Sequence, residues 1–275
     1  MNYKEVLEKY KGLDLVEAVH HHLVQSHYNR SAERKKYKKG IRFYPSSVGQ
    51  CPRKNVYQML GYEGKPRDPN DLQVMENGNY FHHRMEDQFE AMGILISREL
   101  SLKDTELAIS GRSDAIIWDF IEPVEEPTGE HLTLRDPQDK VVYDGPEDQI
   151  RIVEFKSIKE QNYDKLKRVG KANHIEQLQL YFYLTGIRKG TLYYENKNNQ
   201  SPKTYHIEYN TVIIDKVLSE IKEQVGYAER GQLPDRPYTA IDIPCRYCDF
   251  RDICHPNTNP FSYDQLFKKQ EELPF

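Results

Sequence analysis

Apolar residues recur at helical spacing at the start of the chain. Val6, Leu7, Tyr10, Leu13, Val16, Val19 and Leu23 predict a helix over 3–26. A shorter helix is expected over 51–61, ending at Gly61, and 66–70 reads as a loop. Asp71 then caps a helix running to Met92, where Gly93 stops it. Residues 94–102 and 106–118 have strand character, with Gly111 as a bend or close-approach point in the second. The pattern breaks over 121–149, which is acidic and holds Pro123, Pro127, Pro137 and Pro146. This stretch reads as a surface insertion, a loop or hairpin. Regular patterning returns with a strand at 150–158, a helix at 172–185 stopped by Gly186, strands at 190–195 and 204–209, and a helix at 211–229. The order predicts an α/β fold, a mixed sheet flanked by helices.

Composition narrows the class. A chain of 275 residues with 37% hydrophobic and 30% charged positions supports a substantial core. No apolar run is long enough to span a bilayer, and the first residues lack a signal-peptide core, so a cytoplasmic protein with no membrane partner is expected. The net charge of −4 does not by itself indicate a nucleic-acid partner. Its distribution is less neutral. Residues 30–42 carry Arg30, Arg34, Lys35, Lys36, Lys38, Lys39 and Arg42 against Glu33 alone, a stretch read as a linker or exposed arm. Lys165, Lys167, Arg168 and Lys171 form a second patch. Either could attract phosphates, and either alone could be an ordinary solvated face.

The chemistry-bearing residues fall in four groups. Glu154 and Lys156 are two apart on one strand and so share a face, while Phe155 points to the core and leaves its carbonyl near them. Asp114 ends the neighbouring strand. Two carboxylates and a carbonyl are hard oxygen donors suited to Mg²⁺ or Mn²⁺. The adjacent ammonium could orient or deprotonate an attacking water, or stabilise charge on a scissile phosphate. His82 and Glu86 lie four apart on the 71–92 helix, and Gln177 and Tyr181 have the same spacing on the 172–185 helix. Each residue alone has an ordinary structural reading; the joint order is what points to a site.

That order resembles the PD-(D/E)XK nuclease superfamily, in particular its RecB-like branch. The matching pieces are Gly78-x-x-x-His82-x-x-x-Glu86, Gly111-x-x-Asp114, Glu154-x-Lys156 and Gln177-x-x-x-Tyr181, within a match over about 45–255. The resemblance implies a restriction-endonuclease-like fold. It gives His82, Asp114, Glu154 and the Phe155 carbonyl as metal ligands, and Lys156, Asp114 and Glu154 as catalytic residues. Gln177 and Tyr181 would contact the site or DNA, with Glu86 as a ligand or supporting residue and His83 as the ligand if the helix register differs by one. It further implies a single domain over 1–275: a helical segment to residue 50, a nuclease core over 71–210 interrupted by 121–149, and a tail over 257–275.

The cysteines divide one and three: Cys51 alone, then Cys245, Cys248 and Cys254. In a long chain of this kind metal ligation is a better reading than disulfides. A lone distant fourth thiol suits a [4Fe–4S] cluster better than a zinc site built from two close pairs, although zinc at the same thiols stays open, as does His255 as a substitute ligand. The arrangement resembles the iron–sulfur staple of RecB-like nucleases of the AddB and CRISPR-associated types. The segment Ser46-Ser47-Val48-Gly49-Gln50-Cys51-Pro52-Arg53, followed by Tyr57, is similar to their opening motif. Cys51 with 240–256 would then staple the two ends of the domain.

Together these readings imply a metal-dependent DNA exonuclease acting on single-stranded DNA or DNA ends, with protein partners in a DNA-processing complex. The alternative is a non-catalytic iron–sulfur DNA-binding subunit of such a complex. The terminal Gln270-Glu271-Glu272-Leu273-Pro274-Phe275 resembles peptides that dock on sliding clamps, with Glu271 departing from the pattern.

Overall fold

A central five-stranded sheet organises the computed structural model, which describes residues 9, 11–37, 40–166 and 168–256. The elements are α1 (Leu15–Tyr37), α2 (Pro52–Met59), α3 (Pro69–Ala91), β1 (Leu95–Arg98), β2 (Ser101–Asp104), β3 (Ile109–Arg112) and β4 (Ala115–Trp118). They continue with β5 (His131–Arg135), β6 (Val141–Pro146), β7 (Ile150–Ile158), α4 (Glu160–Tyr163), α5 (Ala172–Thr185), β8 (Lys189–Asn196), β9 (Pro202–Glu208), α6 (Thr211–Glu229), α7 (Ile243–Arg246) and α8 (Arg251–Cys254). The main sheet has the order β1-β4-β7-β8-β9. Only β7 and β8 pair in parallel, joined by the α4–α5 crossover; the other pairs are antiparallel.

The sheet is covered on both faces. On one, Phe81 and Met85 of α3 pack on Ala115, Ile117, Val153 and Phe155. On the other, Leu178, Tyr181 and Phe182 of α5 pack with Ile116, Ile152, Leu192 and Tyr194. A further apolar cluster joins α6 and α2 to Phe43 and Ile109. Residues 150–155 of β7 are all buried, Arg151 and Glu154 included, because both faces of the strand are covered.

Several elements depart from the sequence expectation, each for a local reason. Of the helix expected over 3–26, residues 3–8 and 10 lie outside the described residues; α1 begins at Leu15, where Asp14 and Glu17 cap each other reciprocally: the Glu17 N–H donates to Asp14 at 2.8 Å and the Asp14 N–H to Glu17 at 3.1 Å. It continues through the basic stretch to Tyr37, so residues 30–37 are helix rather than a linker; Arg, Lys, Glu and Ala are good helix formers. α3 starts one turn early, because Asp68 is the cap and Pro69 the first helical residue. The expected strand over 106–118 is split. β3 pairs with β2 in a separate ribbon, and the chain crosses at Ser113-Asp114 to enter the main sheet as β4. Gly111 is a close-approach point: a Cβ there would lie 2.6 Å from the Pro45 ring. Within 121–149 the chain forms the β5–β6 hairpin. Its neck is held by Arg151, which is 1% exposed and donates to Asp119, Glu122 and the Gly190 carbonyl. Among the described residues no helix is long and apolar enough to cross a membrane. The terminal segment 270–275 lies outside the described residues.

Candidate active site

The main sheet forks where β4 begins. Ala115 pairs with Val153, and beyond that register β7 runs on beside β8 alone. Asp114 stands at the mouth of this fork, opposite Glu154. It precedes β4, rather than ending a strand, and its Oδ2 accepts the Phe155 N–H at 2.8 Å. His82 approaches from α3 on one face, with Nδ1 3.4 Å from Asp114 Oδ1 and its ring against Phe155. Gln177 and Tyr181 approach from α5 on the other. Gln177 Nε2 donates to Glu154 Oε1 at 2.8 Å and to the Tyr181 hydroxyl at 2.9 Å. Lys156 Nζ donates to Glu154 Oε1 and to Gln177 Oε1, the latter at 3.2 Å. Six of the residues singled out in the sequence thus meet at one place.

The electrostatics follow from burial of like charges. Glu154 is 1% exposed, and burial together with the Asp114 carboxylate pushes its pKa up to about 8, against the opposing pull of Lys156. Burial would also raise Asp114, but the His82 hydrogen bond and charge, Lys156 and the Phe155 N–H outweigh it and hold Asp114 below the usual range. For Lys156, burial favours the neutral amine, yet Glu154 and Asp114 win and keep the ammonium charged. His82 follows the same logic: burial opposes the proton, and Asp114 and Glu154 raise the pKa above its ordinary value. Tyr181 stays a neutral phenol through burial and the two carboxylates.

Glu154 Oε2 is buried and has no hydrogen-bond partner. An orphaned carboxylate oxygen in this setting is costly unless a cation or proton meets it. The Asp114 carboxylate acts on the same group, and two neighbouring carboxylates are a donor set that fits a hard divalent cation. Among the described residues, no three His, Cys, Asp or Glu side chains stand ready as a metal-holding group. In the acidic site, Lys156 and Gln177 occupy Glu154 Oε1, while His82 is turned to Asp114.

Glu86 is placed elsewhere. It is buried on α3, with Oε2 3.6 Å from His83 Nδ1 and 3.8 Å from Arg98 Nη1, and its other oxygen is unpartnered. His83 is largely exposed, so the helix register presents His82 to Asp114. One neighbour was missed in the sequence. His174 lies one turn before Gln177 on α5, with Nδ1 2.8 Å from the Tyr194 hydroxyl. Burial, with Lys156 and Lys171 nearby, pulls its pKa down to about 3. The i, i+3 spacing from Gln177 was the available signal.

The four cysteines are free thiols, and all four line one small cavity with Arg53, Lys54, Tyr57, Phe250 and His255. Cys51 caps α2, Cys245 lies in α7 and Cys254 in α8. The two cysteine-bearing segments are bound there by Tyr57 stacked on Phe250 at 5.3 Å and by the Lys65 N–H donating to the Asp249 carbonyl at 2.7 Å. Burial, together with the other three cysteines, raises the Cys245 pKa. His255 Nε2 lies 3.7 Å from Cys245 Sγ.

A family model described as the PD-(D/E)XK nuclease superfamily matches residues 69–255, which contain the whole forked-sheet site. The chain belongs to the PD-(D/E)XK nuclease superfamily. Among solved structures, the crystal structure of SSO0001 is 17% identical, with a TM-score of 0.50 over 89% of this chain and 98% of that one. At that identity the likeness is one of fold. An alkaline exonuclease, LHK-Exo from Laribacter hongkongensis, is 12% identical, with a TM-score of 0.46 over 69% of this chain and 89% of that chain. Its complex with dAMP gives 13% and the same TM-score and coverage. No curated protein matches the sequence.

Proposed function

We propose that this member of the superfamily is a divalent-metal-dependent DNA nuclease, of RecB-like type, that hydrolyses phosphodiester bonds at the fork between β4 and β7. The observation that carries the reading is Glu154: a buried carboxylate with one free oxygen, facing Asp114 and paired with Lys156. Asp114, Glu154, His82 and the Phe155 carbonyl would hold Mg²⁺ or Mn²⁺. When bound, the cation supplies Lewis-acid polarisation of the phosphoryl group and lowers the pKa of the attacking water. Lys156, kept charged by its carboxylate neighbours, stabilises negative charge building on the phosphate. Gln177 fixes Lys156 and Glu154 relative to each other, and Tyr181 fixes Gln177. Lys171, with the exposed Lys165 and Arg168, lies on the loop that leads into α5 and gives the strand a cationic approach.

The preferred substrate is single-stranded DNA or a DNA end, cleaved exonucleolytically, as the RecB-like resemblance implies. A [4Fe–4S] cluster on Cys51, Cys245, Cys248 and Cys254 would staple the two ends of the domain; the gathering of four thiols at one cavity supports this. A cytoplasmic setting accords with free thiols.

Anaerobically purified protein given 5′- and 3′-labelled single- and double-stranded DNA with Mg²⁺ or Mn²⁺ tests the reading. Metal-dependent release of mononucleotides or short products from one end is expected. Circular single strands cut as fast as linear ones would overturn the exonuclease assignment, and intact substrates throughout would overturn the nuclease assignment.

A further inference from the structure

A cavity of about 320 Å³ opens beside the site on the α3 face of the sheet. Its walls include Asn77, Tyr80 and Arg84 from α3, Ser157 from the end of β7, and Lys197 and Gln200 from the turn after β8. None of these residues takes part in the metal or proton chemistry argued above.

The cavity neighbours that chemistry along β7 and α3. Ser157 follows Lys156 directly and lies three residues from Glu154, about 10 Å along an extended strand. Its floor is Phe81, the residue before His82, so one helix turn serves both places. Asn77, Tyr80 and Arg84 fall at helical spacing and share one face of α3.

The lining matches an aromatic base attached to a phosphodiester. Tyr80 is 64% exposed at the wall of the cavity, and its flat π face there can stack a base. The Asn77 and Gln200 amides and the Ser157 hydroxyl offer both donors and acceptors to base edges. Arg84 is held over Phe81, 5.5 Å from the ring centroid, and paired with Glu195; with Lys197 it leaves the cavity net cationic by one charge. A purely apolar ligand would leave these polar groups unpaired, and a double helix is too wide for the cavity.

We propose that this cavity is a nucleobase subsite, which takes one unpaired base of a DNA strand whose phosphate lies at the forked-sheet site. The inference rests on the nuclease reading and deepens it. It makes an unpaired nucleotide beside the scissile bond part of what the enzyme recognises.

The test is binding of fluorescent single-stranded DNA, with Ca²⁺ in place of Mg²⁺, to wild type, Tyr80→Ala and Tyr80→Phe. An oligonucleotide series carries a single abasic site stepped inward from each end. At one position the missing base should weaken wild-type binding by about tenfold or more, the range for losing one base–aromatic stack. Tyr80→Phe should keep that sensitivity, whereas Tyr80→Ala should bind intact and abasic strands alike at that position. Removing an exposed ring should leave the fold intact, and thermal melting checks this. Equal sensitivity at every position in Tyr80→Ala and wild type would overturn the subsite while leaving DNA binding, and so the nuclease reading, in place. Failure of wild type to bind any DNA would overturn both.

Discussion

Glu154 carries two opposed demands. Its burial and its proximity to Asp114 favour the proton, yet a cation site needs the carboxylate. The folded pKa of about 8 lies above the unfolded carboxylate range, so between about pH 4.5 and 8 the native state binds more protons than the unfolded chain. Stability in the absence of divalent cation should therefore fall as pH rises through that window. Asp114 acts oppositely: its depressed pKa contributes stability above the normal aspartate range that is lost as pH falls through its folded value. Cation binding near pH 6.5 should release more than one proton per site, one from Glu154 and a further share from His82, and near pH 9 far fewer. Calorimetry in buffers of different ionisation enthalpy measures this, and proton release that does not change with pH would contradict the assignment. Lys156→Ala should leave cation binding largely in place while lowering the cleavage rate by about 100-fold or more, as expected for loss of a charge-stabilising group. A fall in cation affinity with an unchanged rate at saturating metal would reverse the two roles.

At the scale of elements, the site depends on how β7 is anchored below the fork. Arg151 is the largest charged group in the interior, spanning from Asp119 and Glu122 to the Gly190 carbonyl. Arg151→Met should cost about 3–5 kcal/mol, because it leaves the buried Asp119 carboxylate without its main partner. Chemical denaturation reads this directly, and a loss under 1 kcal/mol would mean that water replaces the guanidinium. Arg151 also marks where sequence reading runs out. Within the run Ile150-Arg151-Ile152-Val153 it looks like an exposed strand residue, and only the Asp119 and Glu122 side chains from another segment make it an interior one. Helix α5 and strand β7 were legible because their patterns are long and their ends are marked, as by Gly186 in the left-handed conformation. The crossing at Ser113-Asp114 was not, because a switch between two sheets leaves the apolar run on either side unchanged. The positions of Asp114, Glu154 and Lys156 were legible as a family-like order. Their convergence required the register that sets Ala115 against Val153.

Across the whole molecule, residues 51–57 and 244–255 meet at the four thiols, flanking in sequence the site between them. The proposed cluster would close a long loop between Cys51 and Cys245, which would constrain the unfolded chain. Cys51→Ser should abolish visible absorbance and bound iron in anaerobically purified protein and lower the melting temperature by several degrees, roughly the effect of a few kcal/mol on a domain this size. Stoichiometric zinc in the colourless wild type would assign the thiols to zinc, and metal-free wild type of equal stability would remove the staple. The spacing of the cysteines was legible in the sequence; spacing does not choose between zinc and an iron–sulfur cluster, because four thiolates suit both. The central claim is that the forked-sheet carboxylate performs phosphodiester hydrolysis. It is tested most directly by the single-turnover cleavage rate of end-labelled single-stranded DNA in Mg²⁺ for wild type beside Glu154→Gln. Wild type should cleave in a metal-dependent way, with a loss of about 1,000-fold or more in the variant, which keeps the shape of the side chain but not its charge. Equal rates from the two proteins would contradict it.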